Sequence, residues 1–226
     1  MPFGSGLGSS AASAAAAVCA VNALLGNPFT KKELLPFSVD GESIASGAKH
    51  ADNVAPSLLG GFVMVSATDT HHCIHLPAPA SLCAAVIYPH VQIRTKDSRT
   101  LLPPSVPFRD AVLQTEYIGG LIAGLYKEDF ALIARSLHDR LAEPYRAAKI
   151  PCFDQMKQAA LNCGALGCSI SGSGPSVFAL AGSKKQAEEA GEAMLNVMNQ
   201  SNIPADLYIS AINHKGAVII HADATS

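Results

Sequence analysis

Met1-Pro-Phe-Gly-Ser-Gly-Leu-Gly-Ser-Ser-Ala-Ala-Ser13 opens the chain, and its reading decides the fold: a glycine-rich loop runs straight into an alanine-rich helix. Gly4, Gly6 and Gly8 lack a Cβ, so the backbone can take positive φ and bring its N–H groups close to a ligand. From Ser9 to Leu25 the residues are dense in strong helix formers, and Gly26 followed by Pro28 supplies a stop. The loop therefore precedes a helix N-terminus, where unpaired N–H groups and the helix dipole both favour negative charge. Phosphate is the guest that such a loop suits.

Other readings of this opening fit less well. A secretory signal peptide needs a basic leader, and the first Lys or Arg is Lys31. A membrane span needs about 20 strongly apolar residues, whereas this run is mostly alanine and serine and carries Asn22. A Walker A loop needs a Gly-Lys-Ser/Thr ending that is absent. Gly6-Leu-Gly8-Ser-Ser-Ala11 does match a dinucleotide fingerprint, but that fold requires an apolar strand after the helix. Here Thr30 followed by Glu33 forms a capping box that opens a second helix instead.

Composition bounds the rest. The 226 residues are 49% hydrophobic and 15% charged, enough for a large core in one or two domains. A formal net charge of −2 gives no basic footprint for nucleic acid and no polybasic patch for a membrane, so small-molecule partners are expected. Cys19, Cys73, Cys83, Cys152, Cys163 and Cys168 lie among apolar neighbours without Cys-x-x-Cys spacing, the pattern of free thiols in a reducing compartment. His71-His-Cys-Ile-His75 could set alternate side chains on one face of a strand for a metal, but a surface hairpin strand is the reading preferred.

Further strings recur along the chain: His50-Ala-Asp-Asn-Val-Ala-Pro56 with Gly60-Gly61, Thr95 with Arg99 before Leu102-Pro103, Glu143-Pro-Tyr-Arg146, and Ser169-Ile-Ser-Gly-Ser-Gly-Pro-Ser176. With the opening loop, these resemble the GHMP kinases, and within them the homoserine kinase family, along essentially the whole length. The resemblance implies an α+β, two-domain GHMP-kinase fold: an incomplete N-terminal, ATP-binding domain over 1–78 and a ferredoxin-like C-terminal sandwich over 79–226. Because family members place several strands before the glycine loop, the chain is expected to lack an N-terminal portion, through truncation or a misplaced start.

The resemblance also implies the chemistry, ATP-dependent phosphorylation of the L-homoserine side-chain hydroxyl on the route to threonine. ATP would lie on Pro2, Gly4, Ser5, Gly6, Leu7, Gly8, Ser9, Ser10, Ala11 and Ala12, with Ser171, Gly172 and Gly174 from the second glycine loop. Ser10 and Glu42 would hold Mg²⁺. His50, Asn53, Thr95, Arg99 and Arg146 would bind the acceptor, with Asn53 and Arg99 also acting in catalysis; Asp52, the carboxylate that could act as a base, ranks behind Asn53 because the family manages without a dedicated aspartate base. A cytoplasmic location is expected, a plastid location stays open if residues precede Met1, and a homodimer stays open too. Alternatives are another GHMP kinase, a dinucleotide oxidoreductase, or a truncated fragment that binds nucleotide without turnover.

Patterning places the remaining elements. Helices are expected over 31–47 with an interruption near Pro36, over 108–126, 127–141, 156–165 and 184–200. Strands are expected over 61–66, 82–88, 167–171, 177–181, 206–210 and 216–220, and Gly119-Gly120 reads as close helix packing.

Overall fold

The structure is a computed structural model that describes residues 1–47, 49–69, 72–91, 93, 98 and 100–220; Thr95, Arg99 and His71 lie outside these residues. Two compact units divide the chain. Gly8–Pro77 and Asn213–Ser226 form one, Met1–Leu7 and Ala78–Ile212 the other, so the opening residues group with the second half of the chain and the closing ones with the first.

The first unit contains α1 (Ser9–Leu24), α2 (Lys31–Ser46), α3 (Val54–Leu59) and the antiparallel pair β1 (Phe62–Val65) and β2 (Cys73–Leu76). Ala11 and Ala15 of α1 are buried against Leu34, Leu35 and Val39 of α2 and against Val54, Ala55 and Leu58 of α3. Alanine on α1 lets the two long helices approach closely: a Cβ added at Gly41 would already stand 3.4 Å from the Ala14 methyl. Asn22, the polar residue among those α1 buries, is accommodated because its amide ties the turn into α2, donating to the Phe29 carbonyl (3.0 Å) and accepting from the Phe29 N–H (3.1 Å).

The capping box at α2 is present. Thr30 Oγ1 accepts from the Glu33 N–H at 3.4 Å, while the Glu33 carboxylate accepts from the Thr30 N–H at 2.8 Å. That backbone hydrogen bond, with the Thr30 hydroxyl behind it, holds the Glu33 carboxyl below its ordinary value. The expected break at Pro36 does not occur. α2 runs through it, because the proline removes only the bond to the Lys32 carbonyl, and Lys32 is exposed to water.

The second unit contains β3 (Cys83–Pro89), α4 (Phe108–Lys127), α5 (Phe130–Ser136), α6 (Glu143–Arg146), α7 (Phe153–Asn162), β4 (Gly167–Ile170), β5 (Val177–Ala181), α8 (Lys184–Gln200) and β6 (Ala205–Ala211). Its four strands are antiparallel in the order β4-β5-β3-β6. With helices between β3 and β4 and between β5 and β6, this is the βαββαβ arrangement of a ferredoxin-like sandwich. Alternate residues of β3 (Cys83, Ala85, Ile87) are buried, and Ile87 joins Met156, Val177, Ala179, Met194 and Met198 in the core. Gly191 brings α8 onto the sheet: a Cβ there would stand 3.1 Å from that of Ala85.

Some expectations are corrected. The helix expected over 127–141 is only α5, because Asp139 turns the chain by accepting from the N–H groups of Leu141 (2.8 Å), Ala142 (2.8 Å) and Glu143 (3.0 Å). No strand forms over 216–220: Asn213 accepts from the Lys215 N–H (2.9 Å) and donates to the Gly216 carbonyl (3.2 Å), and Gly216 has φ +64°. Close packing of α4 on α5 uses Gly120 and Gly124, over Ser136 and Ile133, whereas Gly119 faces open space. The six cysteines are free, and among the described residues no helix is long and apolar enough to cross a membrane.

Candidate active site

The division between the units falls within the glycine loop, after Leu7, and the candidate groups of each unit are described separately. In the first unit, Gly8 is the N-cap of α1 at φ +73°, and no side chain caps this helix. The first-turn N–H groups are thus left for an anion, with Ser9 and Ser10 adding hydroxyls. Packing of α1 on α2 brings the Ser10 hydroxyl to Glu42, where it donates to Oε1 at 2.9 Å; Glu42 itself is only 8% exposed. A buried carboxylate beside a hydroxyl at a phosphate-type loop is a hard-oxygen donor pair of the kind that would suit a small divalent cation. Among the described residues no group of three His, Cys, Asp or Glu side chains could hold a metal, and the metal reading of residues 71–75 falls partly outside them because His71 is not described.

The turn from Ala51 into α3 sets the His50 motif against this loop. Asn53 is the N-cap of α3 but spends no side-chain hydrogen bond on capping. Its side chain lies on Gly8 instead: a Cβ at Gly8 would be 3.1 Å from the Asn53 Cβ and 3.2 Å from Oδ1. His50 is half-buried, and its Nε2 is buried with no hydrogen-bond partner among the described residues, a polar atom that a ligand would satisfy. Asp52 and Asn53 are exposed.

In the second unit, the second glycine loop proves to be the β4–β5 turn, and it packs backbone to backbone on the opening loop. Ser171 Oγ donates to the Gly6 carbonyl at 3.0 Å, and the Ser176 N–H donates to the Ser5 carbonyl at 3.1 Å. Gly6 has φ +80°, and a Cβ there would stand 2.5 Å from Ser171 O and 2.6 Å from Gly174 O. Ser5 is buried, accepting from the Leu7 N–H (3.2 Å) and donating to the Pro2 carbonyl (2.8 Å). The two glycine strings, 165 residues apart in sequence, are therefore one structural feature.

Arg146 reaches the same turn. The Asp139 turn starts α6, and Glu143 ties that helix down through an ion pair with Lys157 and a hydrogen bond from Ser169 Oγ at 2.7 Å. From there the Arg146 guanidinium donates through Nη1 to the Gly172 carbonyl (3.0 Å) and through Nε to the Ser98 carbonyl (3.4 Å). Ser98 is buried, and its own hydroxyl donates to the Ser173 carbonyl at 2.9 Å. Sequence reasoning missed Ser98: a serine within Lys96-Asp-Ser-Arg-Thr100 carries no pattern that distinguishes it. Beneath the turn, burial pushes the Cys168 thiol up to about 12.

A pattern described as the GHMP kinases N terminal domain matches residues 1–61, and one described as GHMP kinases C terminal matches residues 121–200. The homoserine kinase of Chlorobium phaeobacteroides is 47% identical over 222 residues, which is 97% of this chain and 69% of that protein. This chain belongs to the homoserine kinase family of the GHMP kinases. The homoserine kinase of Chlorobaculum tepidum is also 47% identical, over 97% of this chain and 68% of its own length. A crystal structure of homoserine kinase from Cytophaga hutchinsonii superposes with a TM-score of 0.92 at 52% identity, covering 96% of this chain and 69% of that one. Membership bears out the resemblance carried by the motif strings, and the family's α+β fold.

Proposed function

We propose that this chain transfers the γ-phosphoryl group of ATP to the side-chain hydroxyl of L-homoserine, giving O-phospho-L-homoserine for threonine synthesis. The observation that carries the reading is the contact of Asn53 with Gly8, since it brings the family's acceptor motif to its phosphate loop, in a chain 47% identical to a homoserine kinase. The N–H groups from Gly4 to Ala12 and the Ser9 and Ser10 hydroxyls bind the triphosphate, and the β4–β5 turn fixes the loop in shape through Ser171, Gly172 and Gly174.

Phosphoryl transfer asks the protein mainly for positioning and for charge neutralisation. Glu42 and Ser10 hold Mg²⁺, which when bound offsets charge on the phosphate oxygens. Arg146 and Arg99 take the acceptor's carboxylate, while His50, Asn53 and Thr95 orient it so that its hydroxyl oxygen lies in line with the γ-phosphorus. The new O–P bond forms as the bond to the β-phosphate oxygen breaks, and the hydroxyl proton leaves with solvent. Asp52 is the carboxylate within the motif and ranks behind Asn53. The reading places the enzyme in the cytoplasm and leaves a homodimer as its open element, which light scattering resolves.

The test is a side-by-side assay of ADP release with MgATP and L-homoserine, mevalonate or galactose, with the product read by ³¹P NMR. Homoserine alone should support turnover and give a phosphate monoester. Turnover with mevalonate or galactose instead, or tight NADH binding in place of ATP, overturns the assignment.

A further inference from the structure

The β4–β5 turn is fastened at more than one point, all within one compact unit. Toward the nucleotide loop, Ser171 Oγ holds the Gly6 carbonyl at 3.0 Å, and there is no space between the backbones: a Cβ on Gly172 would stand 2.8 Å from Gly6 O. On its other side, Ser98 Oγ holds the Ser173 carbonyl at 2.9 Å, and Arg146 Nη1 holds the Gly172 carbonyl at 3.0 Å. Ser98 and Arg146 are also joined to each other, through Nε and the Ser98 carbonyl at 3.4 Å. Ser98 is 1% exposed, so its hydroxyl is directed at the turn and at no solvent.

We infer that Ser98 is a positioning residue that couples the binding of the two substrates, making each bind more tightly in the presence of the other. The inference rests on the reading above, in which Arg146 receives the acceptor's carboxylate and the glycine loop receives the triphosphate. Arginine is a long, rotamer-rich side chain, and an anionic headgroup on its guanidinium immobilises it. An immobilised Arg146 holds the Gly172 carbonyl and, with Ser98, the whole turn, against which the Gly6 backbone is ordered. The ordering cost met by the first ligand is then absent for the second, which gives positive coupling without a large displacement. Thermodynamic linkage requires the factor to be the same in both directions.

The experiment is calorimetric titration of the full chain with the magnesium complex of the non-hydrolysable ATP analogue AMPPNP, with and without saturating L-homoserine, and the reverse titration. Wild type should show a coupling factor of about fivefold or more, equal in the two directions. Ser98→Ala should bring that factor to within about twofold of unity while each ligand alone binds within about threefold of wild type. A merely structural role would weaken both affinities and keep the factor. Should Ser98→Ala fail to fold by circular dichroism, Ser171→Ala breaks the other end of the same path and must give the same loss. A full coupling factor in the folded variant overturns the inference, as does independent binding of the two ligands to a wild-type enzyme that phosphorylates homoserine. Absence of any homoserine-dependent turnover instead overturns the functional reading on which it rests.

Discussion

The Ser10 hydroxyl donates to Glu42 Oε1 at 2.9 Å, joining the first turn of α1 to α2 across 32 residues of sequence. The bond aims a nearly buried carboxylate at the end of the helix where an anion would sit. Ser10→Ala should therefore raise the magnesium concentration needed for half-maximal activity by about 10- to 100-fold, the usual cost of losing a group that orients a metal ligand. Glu42→Gln should lose more, with circular dichroism unchanged for both. A magnesium titration at saturating ATP that matches wild type for both variants would remove this pair from the metal site.

Gly4 and Gly6 give an internal comparison. Both have positive φ, +69° and +80°, so alanine at either meets the left-handed penalty of roughly 1–2 kcal/mol. Only at Gly6 does the new Cβ also strike backbone, at 2.5 Å from Ser171 O, whereas at Gly4 nothing lies within 4 Å. Gly4→Ala should lower Tm slightly and change the KM for ATP by less than about 30-fold, the limit set by the upper end of that penalty. Gly6→Ala should force the two glycine loops apart, with a larger loss of Tm and a KM for ATP higher by at least about another factor of ten, worth 1.4 kcal/mol. Equal effects at the two positions would show that contact between the loops does not shape the nucleotide site.

Much of this arrangement was legible because it is local. Helix α1, the Thr30 capping box and helix α8 follow from propensity and caps, and the order of motif strings carried the family. The less legible parts depend on groups far apart in the chain. Nothing in the sequence says that Ser171 bonds to Gly6, because the bond exists only after β4 and β5 have brought the turn to the opening loop. Pro36 misled for a related reason: its cost is one helix bond on an exposed face, which burial of Leu35 and Val39 outweighs. The stretch 216–220 reads as a strand by its apolar run, yet the Asn213 turn takes the hydrogen bonds that would start one.

Cys168 supplies a pH prediction. Its thiol is raised from the ordinary 9.0 to about 12, first by burial, with Glu143 raising it further and Lys157 opposing. The folded state thus keeps its proton where the unfolded chain loses one, so this contribution to stability is complete below about pH 9 and is lost as pH rises toward 12. Denaturation midpoints in urea should fall across that window for the wild type, and more shallowly for Cys168→Ala. At pH 8 iodoacetamide should leave Cys168 unmodified in the native enzyme, as read by mass spectrometry. Rapid native alkylation there would contradict the burial.

Arg146 makes the sharpest test of the acceptor assignment, because its guanidinium already has work to do in the absence of ligand. Nη1 and Nε donate to the Gly172 and Ser98 carbonyls, and Nη2 makes no hydrogen bond among the described residues. A carboxylate arriving at that edge gains a charge-assisted hydrogen bond and holds the guanidinium against both carbonyls. Arg146→Ala, assayed at saturating ATP, should raise the KM for homoserine by about 10- to 100-fold, the range expected for losing a charged hydrogen bond of about 1.5–3 kcal/mol. Arg146→Lys keeps the charge but not the planar fork that spans the Gly172 and Ser98 carbonyls, so it should recover only part of the loss. If the KM for ATP rises instead while that for homoserine stays at its wild-type value, Arg146 belongs to the support of the nucleotide loop alone, and the acceptor's carboxylate is held elsewhere.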